Sequence, residues 1–374
     1  MTEKPSDFRL LNTRKKMKVF ITAFLLLSIG ILISAFYKKQ GNEETLQSVS
    51  PFPVGAAIDP GLLQNNAAYR HIVETEFNSI TPENVLKWAG VHPAENRFDF
   101  TKGDILADFA LKNHKRFHGH NLCWYQYNSA WVRNFNGDSA AWENLLKTHI
   151  ETVASHYKGK ATSWDAVNEA FHDDGTLRVE DTNPADNKDD GCIWARHIGK
   201  DYIAKAFIYA HEADPNALLF YNDYDQEIHP AKLQAIINMV NDFKKRGIPI
   251  NGIGIQMHIT INTPNEGISD AIKQLAATGL QIHIAELDIR VNTNKDTALT
   301  YTQALQDAQA AKYSFVVQQY KKLVPAKQQY GITTWNVGDA DSWLRHFYTK
   351  NDWPLLFDDS YNKKQVYHSF LKAL

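Results

Sequence analysis

Two glutamates stand where packing alone does not explain a carboxylate. Glu169 follows the mainly apolar run Trp164–Asn168, and Glu286 lies between Ala285 and Leu287 in another such run. Burying an unpaired charge costs several kcal/mol, so acidic groups at these points favour a chemical role. Each glutamate on its own could equally form an ion pair with a nearby Arg or Lys. Together they suit glycoside hydrolysis, in which one carboxylic acid protonates the leaving oxygen and one carboxylate supports the sugar.

The other apolar runs also end in side chains that can bind polar groups. The residues concerned are Glu83, Asn84, Lys87, His120, Trp124, Asn168, Tyr224, Gln256, His258 and Trp335. We interpret this repetition as the mouth of one cleft to which many strands contribute.

Eight short runs rich in apolar and β-branched residues predict the strands that must position these groups. We place the strands at Val54–Ile58, Phe77–Thr81, Arg116–Trp124, Ser163–Asn168, Leu218–Asn222, Gly252–His258, Gln281–Leu287 and Gly331–Asn336. Longer stretches of helical period separate the runs, and we predict helices at Leu145–His156, Trp194–Glu212, Ala231–Arg246 and Ile268–Ala277. Eight βα units predict a (β/α)8 TIM barrel, whose active site lies at the carboxyl ends of its strands.

The polar stretch from His172 to Gly191 is too long for an ordinary loop after a barrel strand. It follows the fourth predicted strand. We therefore expect an insertion that faces the substrate.

Charge and cysteine content exclude several classes. The chain has 374 residues, with 40 basic and 42 acidic residues mixed along it, so it lacks the basic stripe that nucleic acid would need. Its two cysteines, Cys123 and Cys192, form neither a zinc motif nor a readable disulfide framework. Cys123 lies in an apolar run and is expected to be a buried thiol.

The N-terminus carries a targeting signal. Arg14, Lys15, Lys16 and Lys18 precede an unbroken apolar stretch from Val19 to Phe36, which fits either a signal peptide or an uncleaved signal anchor. The excess of basic residues before this stretch places the remainder outside the cytoplasm, either periplasmic or extracellular. We divide the chain into residues 1–40 (targeting), 41–50 (a short polar linker) and 51–374 (one catalytic barrel).

From about Phe52 to Leu374 the chain resembles the family 10 glycoside hydrolases, the barrel endo-β-1,4-xylanases. Several ordered motifs carry the resemblance: Thr81–Trp88, Trp164–Glu169, Asn222–Tyr224, Gln256–His258, Ala285–Asp288, Trp335, Asp339–Trp343 and Pro354–Asp358.

The resemblance implies roles for individual residues. Glu169 would be the acid/base and Glu286 the nucleophile of a retaining endo-xylanase without cofactor or metal. His258 would hold the nucleophile, and Asn168 would bind the sugar 2-hydroxyl. The substrate-binding residues would be Glu83, Asn84, Lys87, His120, Trp124, Tyr224, Gln256, Trp335 and Trp343. The partners would be xylan and xylo-oligosaccharides, acted on by a monomer that residues 19–36 could tether to a membrane.

Several positions depart from the family pattern, Tyr127 and Ala130 among them, and two concern the cleft most directly. Tyr125 stands where the family commonly has His, and Asn336 stands where it commonly has Gly. We expect changes in subsite geometry from both, and no change of reaction.

Two alternatives remain open. His118-Gly119-His120 places two imidazoles on one side of a strand, as in a metal-dependent hydrolase. A sugar-binding protein without catalysis is the other alternative, although both glutamates are present.

Overall fold

Nine parallel strands form the centre of the molecule in the computed structural model, which describes residues 44–182 and 189–374. The strands are β1 Val54–Ile58, β2 Ser79–Pro82, β3 Arg116–Gly119, β4 Ser163–Asn168, β5 Leu218–Asp223, β6 Gly252–Ile255, β7 His258–Thr260, β8 Gln281–Arg290 and β9 Gln329–Thr334. Their order is β6-β5-β4-β3-β2-β1-β9-β8, and a β6–β8 pairing closes the ring. The short β7 continues the path of β6 and pairs with β8. Eight barrel positions result, as the sequence predicted.

Helices cover the outside of this barrel. They are α1 Leu46–Val49, α2 Pro60–Asn65, α3 Ala67–Glu76, α4 Trp88–Val91, α5 Thr101–Lys112, α6 Ala130–Arg133, α7 Ser139–His156, α8 Ile193–Ile198, α9 Tyr202–Ala213, α10 Pro230–Arg246, α11 Asn265–Ala276, α12 Gln303–Leu323, α13 Trp343–Phe347 and α14 Gln365–Ala373. Short 3-10 turns occupy Ala326–Gln328 and Asp339–Asp341. The (β/α)8 prediction is therefore confirmed.

Local sequence explains where several helices begin and end. The side chains of Asp59, Asn66 and Asp138 accept hydrogen bonds from backbone N–H groups in the first turns of α2, α3 and α7. Helix α10 starts with Pro230 and ends before Gly247, which has a left-handed φ of 71°. These signals fix the helices against strands that are buried on both faces.

Several predicted boundaries differ from the structure by a few residues, and three predicted elements are interrupted or cut short. The predicted helix Trp194–Glu212 is two helices, because Gly199 adopts φ 90° between α8 and α9. The predicted third strand stops at Gly119 instead of reaching Trp124, which returns as a single bridge to Asn168. The predicted sixth strand is broken into β6 and β7 at Met257, whose φ is 62°.

Residues Leu46–Leu374 form one compact unit. The predicted targeting segment, with its apolar stretch at residues 19–36, lies outside the described residues. Among the residues that are described, no helix has the length and apolar character needed to span a bilayer.

Candidate active site

A cleft of about 460 Å³ opens at the carboxyl ends of the strands. Its walls include Lys87, His120, Trp124, Tyr125, Asn168, Glu169, Tyr224, Gln256, His258, Glu286, Arg290, Trp335, Trp343, Phe347 and Tyr348. Of the residues predicted from sequence, Glu83 and Asn84 are not in this wall, although Asn84 accepts a hydrogen bond from the wall residue Lys87. Glu169 and Glu286, which are far apart in sequence, therefore share one cleft.

Glu169 is held at the end of β4 by its backbone and by three side-chain donors. Its N–H donates to the Asn222 carbonyl oxygen at 2.9 Å, and its φ of 56° is unusual for a residue with a side chain. One carboxylate oxygen, Oε2, accepts from Trp124 Nε1 at 2.8 Å. The other, Oε1, accepts from Gln256 Nε2 at 2.8 Å and from Asn168 Nδ2 at 3.0 Å. The side chain is thus fixed before any substrate binds.

Glu286 is held in an equivalent way on β8. Its N–H donates to the Gln256 carbonyl oxygen at 3.0 Å. Its Oε1 accepts from Asn222 Nδ2 at 2.7 Å, and its Oε2 lies 3.2 Å from His258 Nε2. Both glutamates are nearly fully buried, with exposures of 8% for Glu169 and 4% for Glu286.

A chain of amides joins the two carboxylates. Asn222 Nδ2 also donates to Asn168 Oδ1 at 3.0 Å, so the path Glu169–Asn168–Asn222–Glu286 is continuous. Asn222 is part of the sequence motif Asn222–Tyr224, but it was not predicted to belong to the site. Its place at the end of a predicted strand, directly before Asp223 and Tyr224, was the available signal.

The pKa values of Glu169 and Glu286 are shifted in opposite directions. Burial raises the pKa of Glu169, and the charges of Asp223 and Glu286 act in the same direction, against the hydrogen bonds from Gln256 and Trp124. Burial also acts to raise the pKa of Glu286, but the His258 hydrogen bond and the charges of His258 and Lys87 bring it below its ordinary value. One group is therefore suited to carry a proton while the other is ionised.

His258 links Glu286 to a further acid. Its Nδ1 lies 2.9 Å from Asp288 Oδ2, and Trp343 Nε1 donates to the same oxygen at 3.0 Å. Burial disfavours the charged imidazole, but Asp288 and Glu286 outweigh burial and raise the pKa of His258 to about 10. A protonated His258 thus donates to both carboxylates at neutral pH.

Lys87 projects its ammonium into the cleft beside aromatic rings. Its Nζ donates to Asn84 Oδ1 at 2.9 Å and lies 5.0 Å from the Trp124 ring and 5.6 Å from the Trp335 ring. Burial lowers its pKa, against the opposing charges of Glu286 and Glu83. Glu83 has a pKa raised by burial, against a hydrogen bond with Asn336. Lys87, Asn84 and Glu83 together therefore offer both hydrogen-bond donors and acceptors.

The two imidazoles of His118-Gly119-His120 share one carboxylate. His118 Nε2 and His120 Nδ1 lie 3.1 and 2.8 Å from Asp165 Oδ2, which confirms that both point to one side of β3. His118 is buried and also contacts Ser163 Oγ at 2.7 Å. Within residues 44–182 and 189–374, the one group close enough to hold a metal ion is Asp173, Asp225 and His229. The geometry therefore gives no support to metal ligation by this histidine pair.

Three tryptophans wall the cleft, and Asn336 supports one of them. Asn336 follows Trp335 with φ 85°, a region that Gly adopts freely and Asn tolerates better than most residues. Its Oδ1 accepts from the Trp343 N–H at 3.1 Å. The Asn in place of the commoner Gly thus adds a bond that holds α13.

Tyr125 packs beneath a buried arginine from the long loop after β4. The Arg178 guanidinium lies 4.5 Å from the Tyr125 ring centroid and donates to Tyr224 Oη at 2.6 Å. Burial raises the pKa of Tyr125, so the ring is neutral. The insertion predicted to face the substrate therefore contributes Arg178, which fixes two tyrosines of the wall; sequence reasoning did not single out Arg178.

The known proteins that are similar to this chain are xylanases, and the matching family model is one of glycosyl hydrolases. The profile of Glycosyl hydrolase family 10 matches residues 43–373. An endo-beta-1,4-xylanase of Cellvibrio japonicus is 37% identical over 89% of this chain and 58% of its own length. A beta-1,4-xylanase of Dictyoglomus thermophilum is 34% identical over 97% of this chain and 100% of its own.

Solved structures agree with the sequence relatives. A mutant xylanase of Cellvibrio japonicus in complex with xylopentaose aligns with a TM-score of 0.82 and 35% identity, over 89% of this chain and 69% of that one. Two curated relatives from Cellvibrio are longer proteins, of which this chain spans 58% and 56%.

Proposed function

The chain belongs to glycosyl hydrolase family 10, and from this membership and the cleft geometry we propose that it is a retaining endo-β-1,4-xylanase. The observation that carries the proposal is the amide-bridged pair of buried carboxyl groups, Glu169 and Glu286, with opposite pKa shifts. Its substrates would be xylan and xylo-oligosaccharides.

In the first step, Glu169 would protonate the glycosidic oxygen as Glu286 attacks carbon one of the sugar. The C–O bond to the leaving chain breaks, and a covalent glycosyl ester with Glu286 forms. The raised pKa of Glu169 keeps its proton available, and the lowered pKa of Glu286 keeps that group ionised.

In the second step, Glu169, now ionised, would take a proton from water, whose oxygen attacks the same carbon. The ester bond breaks, Glu286 leaves as a carboxylate, and the configuration at carbon one is restored. Gln256 and Trp124 donate to Glu169 and so favour the ionised form that this step needs.

The remaining cleft residues would bind and orient the sugar. Asn168 would contact the 2-hydroxyl, and His258 would hold Glu286. Hydroxyl groups on the non-reducing side would meet Glu83, Asn84, Lys87 and His120, with Gln256 in the same network and Tyr224 on the wall. Trp124, Trp335 and Trp343 would leave little room for a hydroxymethyl group, which makes the preference for xylose over glucose steric.

Export would follow from the N-terminal segment. We propose that residues 1–40 direct the chain out of the cytoplasm, with the apolar residues 19–36 acting as a signal peptide or anchor, and that a monomeric catalytic barrel follows. The linker expected at residues 41–50 overlaps α1, which belongs to the compact unit Leu46–Leu374, so the catalytic unit begins before residue 51.

Product analysis tests the proposal. The protein would be incubated with xylo-oligosaccharides and, separately, with cello-oligosaccharides, and the products followed by NMR. We expect internal cleavage of the xylose chains with retained configuration. Binding without turnover, or an inverted product, would contradict the proposal.

The nucleophile is tested by Glu286→Gln. We expect kcat to fall by on the order of 10⁴-fold or more, because the amide cannot form the ester, while the thermal unfolding midpoint changes little. An unaltered rate would remove Glu286 from the role of nucleophile.

A further inference from the structure

Arg290 presents an unpaired positive charge at the edge of the cleft. It is half-buried, lines the cleft, and its guanidinium carbon lies 4.2 Å from the ring centroid of Tyr348. Lys295 Nζ lies 5.0 Å from the centroid of the same ring. Over the described ranges, neither side chain makes a hydrogen bond or an ion pair. Two like charges on one ring repel each other, and an anion between them would offset that cost.

The position of Arg290 follows from the strand that carries it. Glu286, Asp288 and Arg290 alternate along β8, so their side chains project to one face. At the rise of a parallel strand, the Cα atoms of Glu286 and Arg290 are about 13 Å apart. A group bound by Arg290 therefore belongs to a sugar away from the one under attack.

Aromatic rings extend the cleft wall toward this charge. Phe347 is 68% exposed and packs against Trp343, with ring centroids 5.5 Å apart, and against Tyr348, with centroids 4.9 Å apart. Such a row of rings can support the apolar faces of successive sugars. A chain lying on it would bring its side groups to Arg290.

The nearby acids are occupied elsewhere. Asp288 is bound by His258 and Trp343. Asp352 accepts from the backbone N–H groups of Val291 and Asn292 at 2.9 and 3.3 Å. Burial raises the pKa of Asp225, which weakens its negative charge near Tyr348. Arg290 interacts electrostatically with Asp352 but makes no direct ion pair with it among the described residues, so its N–H groups can bind a ligand.

We propose that Arg290, assisted by Lys295, binds the carboxylate of a uronic acid side group on xylan, so that the enzyme prefers acid-decorated chains. A guanidinium offers two parallel N–H donors that match a carboxylate, and the Tyr348 ring holds it in place. This inference rests on the proposed xylanase function and names the decorated substrate of the same cleft.

The test compares two substrates in each variant. The ratio of kcat/KM on a xylo-oligosaccharide carrying one glucuronic acid to kcat/KM on a linear one of equal length would be measured at low salt. Arg290→Gln should lower this ratio about tenfold, because a charge-assisted hydrogen bond is lost. Arg290→Lys should lower it less, since the charge remains, and added salt should reduce the wild-type ratio. Lys295→Gln should give a smaller fall in the same direction.

Controls separate the possible failures. Lys322→Gln removes an exposed charge in the last turn of α12 and should leave the ratio unchanged. An arabinose-decorated oligosaccharide should not lose rate selectively in Arg290→Gln. An unchanged acid-to-linear ratio in Arg290→Gln, or an equal loss on the arabinose substrate, would overturn the inference while linear cleavage still supports the xylanase function. Failure of wild type to cleave the linear chain would overturn the proposed function itself.

The complex can also be measured without turnover. In a Glu286→Gln background, the acid-decorated oligosaccharide should bind more tightly than the linear one by calorimetry, and adding Arg290→Gln should remove the difference. Equal affinities in the Glu286→Gln protein would contradict the proposal.

Discussion

Glu169 and Glu286 are chemically identical side chains with different proton affinities, because their neighbours differ. Glu169 is buried and faces the negative charges of Asp223 and Glu286, whereas Glu286 has His258 beside it. For a reaction that needs Glu169 protonated and Glu286 ionised, activity falls as pH rises through the raised pKa of Glu169. It also falls as pH drops through the lowered pKa of Glu286. The proposed reaction thus predicts a bell-shaped dependence of kcat/KM on pH.

Trp124→Phe should shift the alkaline limb of the pH profile of kcat/KM. Trp124 Nε1 donates to Glu169 Oε2 at 2.8 Å and so favours the ionised carboxylate. Removing the donor while keeping an aromatic wall should raise the pKa of Glu169 and shift the alkaline limb of kcat/KM to higher pH. The acid limb, which belongs to Glu286, should stay in place and serves as the internal control. An alkaline limb that stays or moves to lower pH would contradict this account.

The sequence led to the two glutamates of the proposed reaction but not to all of the side chains that hold them. Glu169 and Glu286 were predictable because a carboxylate in an apolar strand has few structural explanations. Asn222 and Arg178 were not assigned, because an amide or a guanidinium is common near a strand end or in a loop. Their roles depend on which strands become neighbours. Asn222 matters because β5 lies beside β4 and places its amide between two acids.

At the scale of elements, strand neighbours set the position of Asn222. Gly254 on β6 pairs with Asn222 on β5, and a Cβ at Gly254 would lie 2.2 Å from Asn222 Oδ1. Side chains of buried strands cannot yield to such a contact without moving. The glycine on one strand therefore leaves space for the amide that donates to Glu286.

Gly254→Ala should reduce activity through Asn222. We expect kcat to fall by about 10- to 100-fold, since a displacement on the order of 1 Å at a reacting group can cost that much. The measurement is kcat on a linear xylo-oligosaccharide, with circular dichroism to verify folding. In an Asn222→Ala background the added cost of Gly254→Ala should largely disappear. Independent, additive losses would show that Gly254 acts by another route.

The predicted elements failed where local backbone geometry interrupted a continuous pattern. The apolar period from Trp194 to Glu212 continues past Gly199, yet the positive φ of Gly199 ends α8. Residues from His120 to Trp124 are apolar enough for a strand, but the chain leaves the sheet at His120, whose side chain binds Asp165. The periodic pattern of apolar residues indicates which side chains are buried. Side chains remain buried beyond the residue at which the backbone hydrogen bonds of a helix or strand end. This is why the barrel was predictable and its breaks were not.

At the scale of the whole molecule, the targeting segment and the barrel should be separable. A chain beginning at residue 44 contains every residue of the proposed site and the compact unit Leu46–Leu374. We expect it to cleave soluble xylo-oligosaccharides with kcat/KM within about twofold of the full chain, because all residues of the proposed site lie in the compact unit that it keeps. The full chain should fractionate with membranes when residues 19–36 are retained as an anchor, and the shortened chain should not. A large loss of activity on shortening would contradict separability.

Global stability should depend on a pair of buried histidines. His92 lies in the loop after α4, and His149 lies on α7, with their Nδ1 atoms 3.1 Å apart. His92 Nε2 lies 3.1 Å from the Glu95 carbonyl oxygen and must donate to it, so His92 Nδ1 accepts from His149. His149 also stacks on Trp88, with ring centroids 3.6 Å apart. The contact therefore excludes protonation of both rings at once, because two N–H groups would then face each other, and burial disfavours a charge on either ring.

Acid should weaken the fold through this pair. Burial lowers the pKa of His92 and of His149 in the folded chain. Their stabilising contribution is complete above the unfolded pKa of about 6.5 and is lost as pH falls below it. Each histidine that takes a proton only on unfolding removes about 1.4 kcal/mol per pH unit.

His149→Phe keeps the stacking on Trp88 and removes one titrating group. Urea unfolding at a series of pH values should show a shallower loss of stability between pH 7 and 5 in this variant than in wild type. His156→Phe is the matched control on the same helix, because His156 is partly exposed and stacks on Phe100 with ring centroids 3.7 Å apart. Equal slopes for His149→Phe and wild type would mean that the acid sensitivity of the fold arises elsewhere.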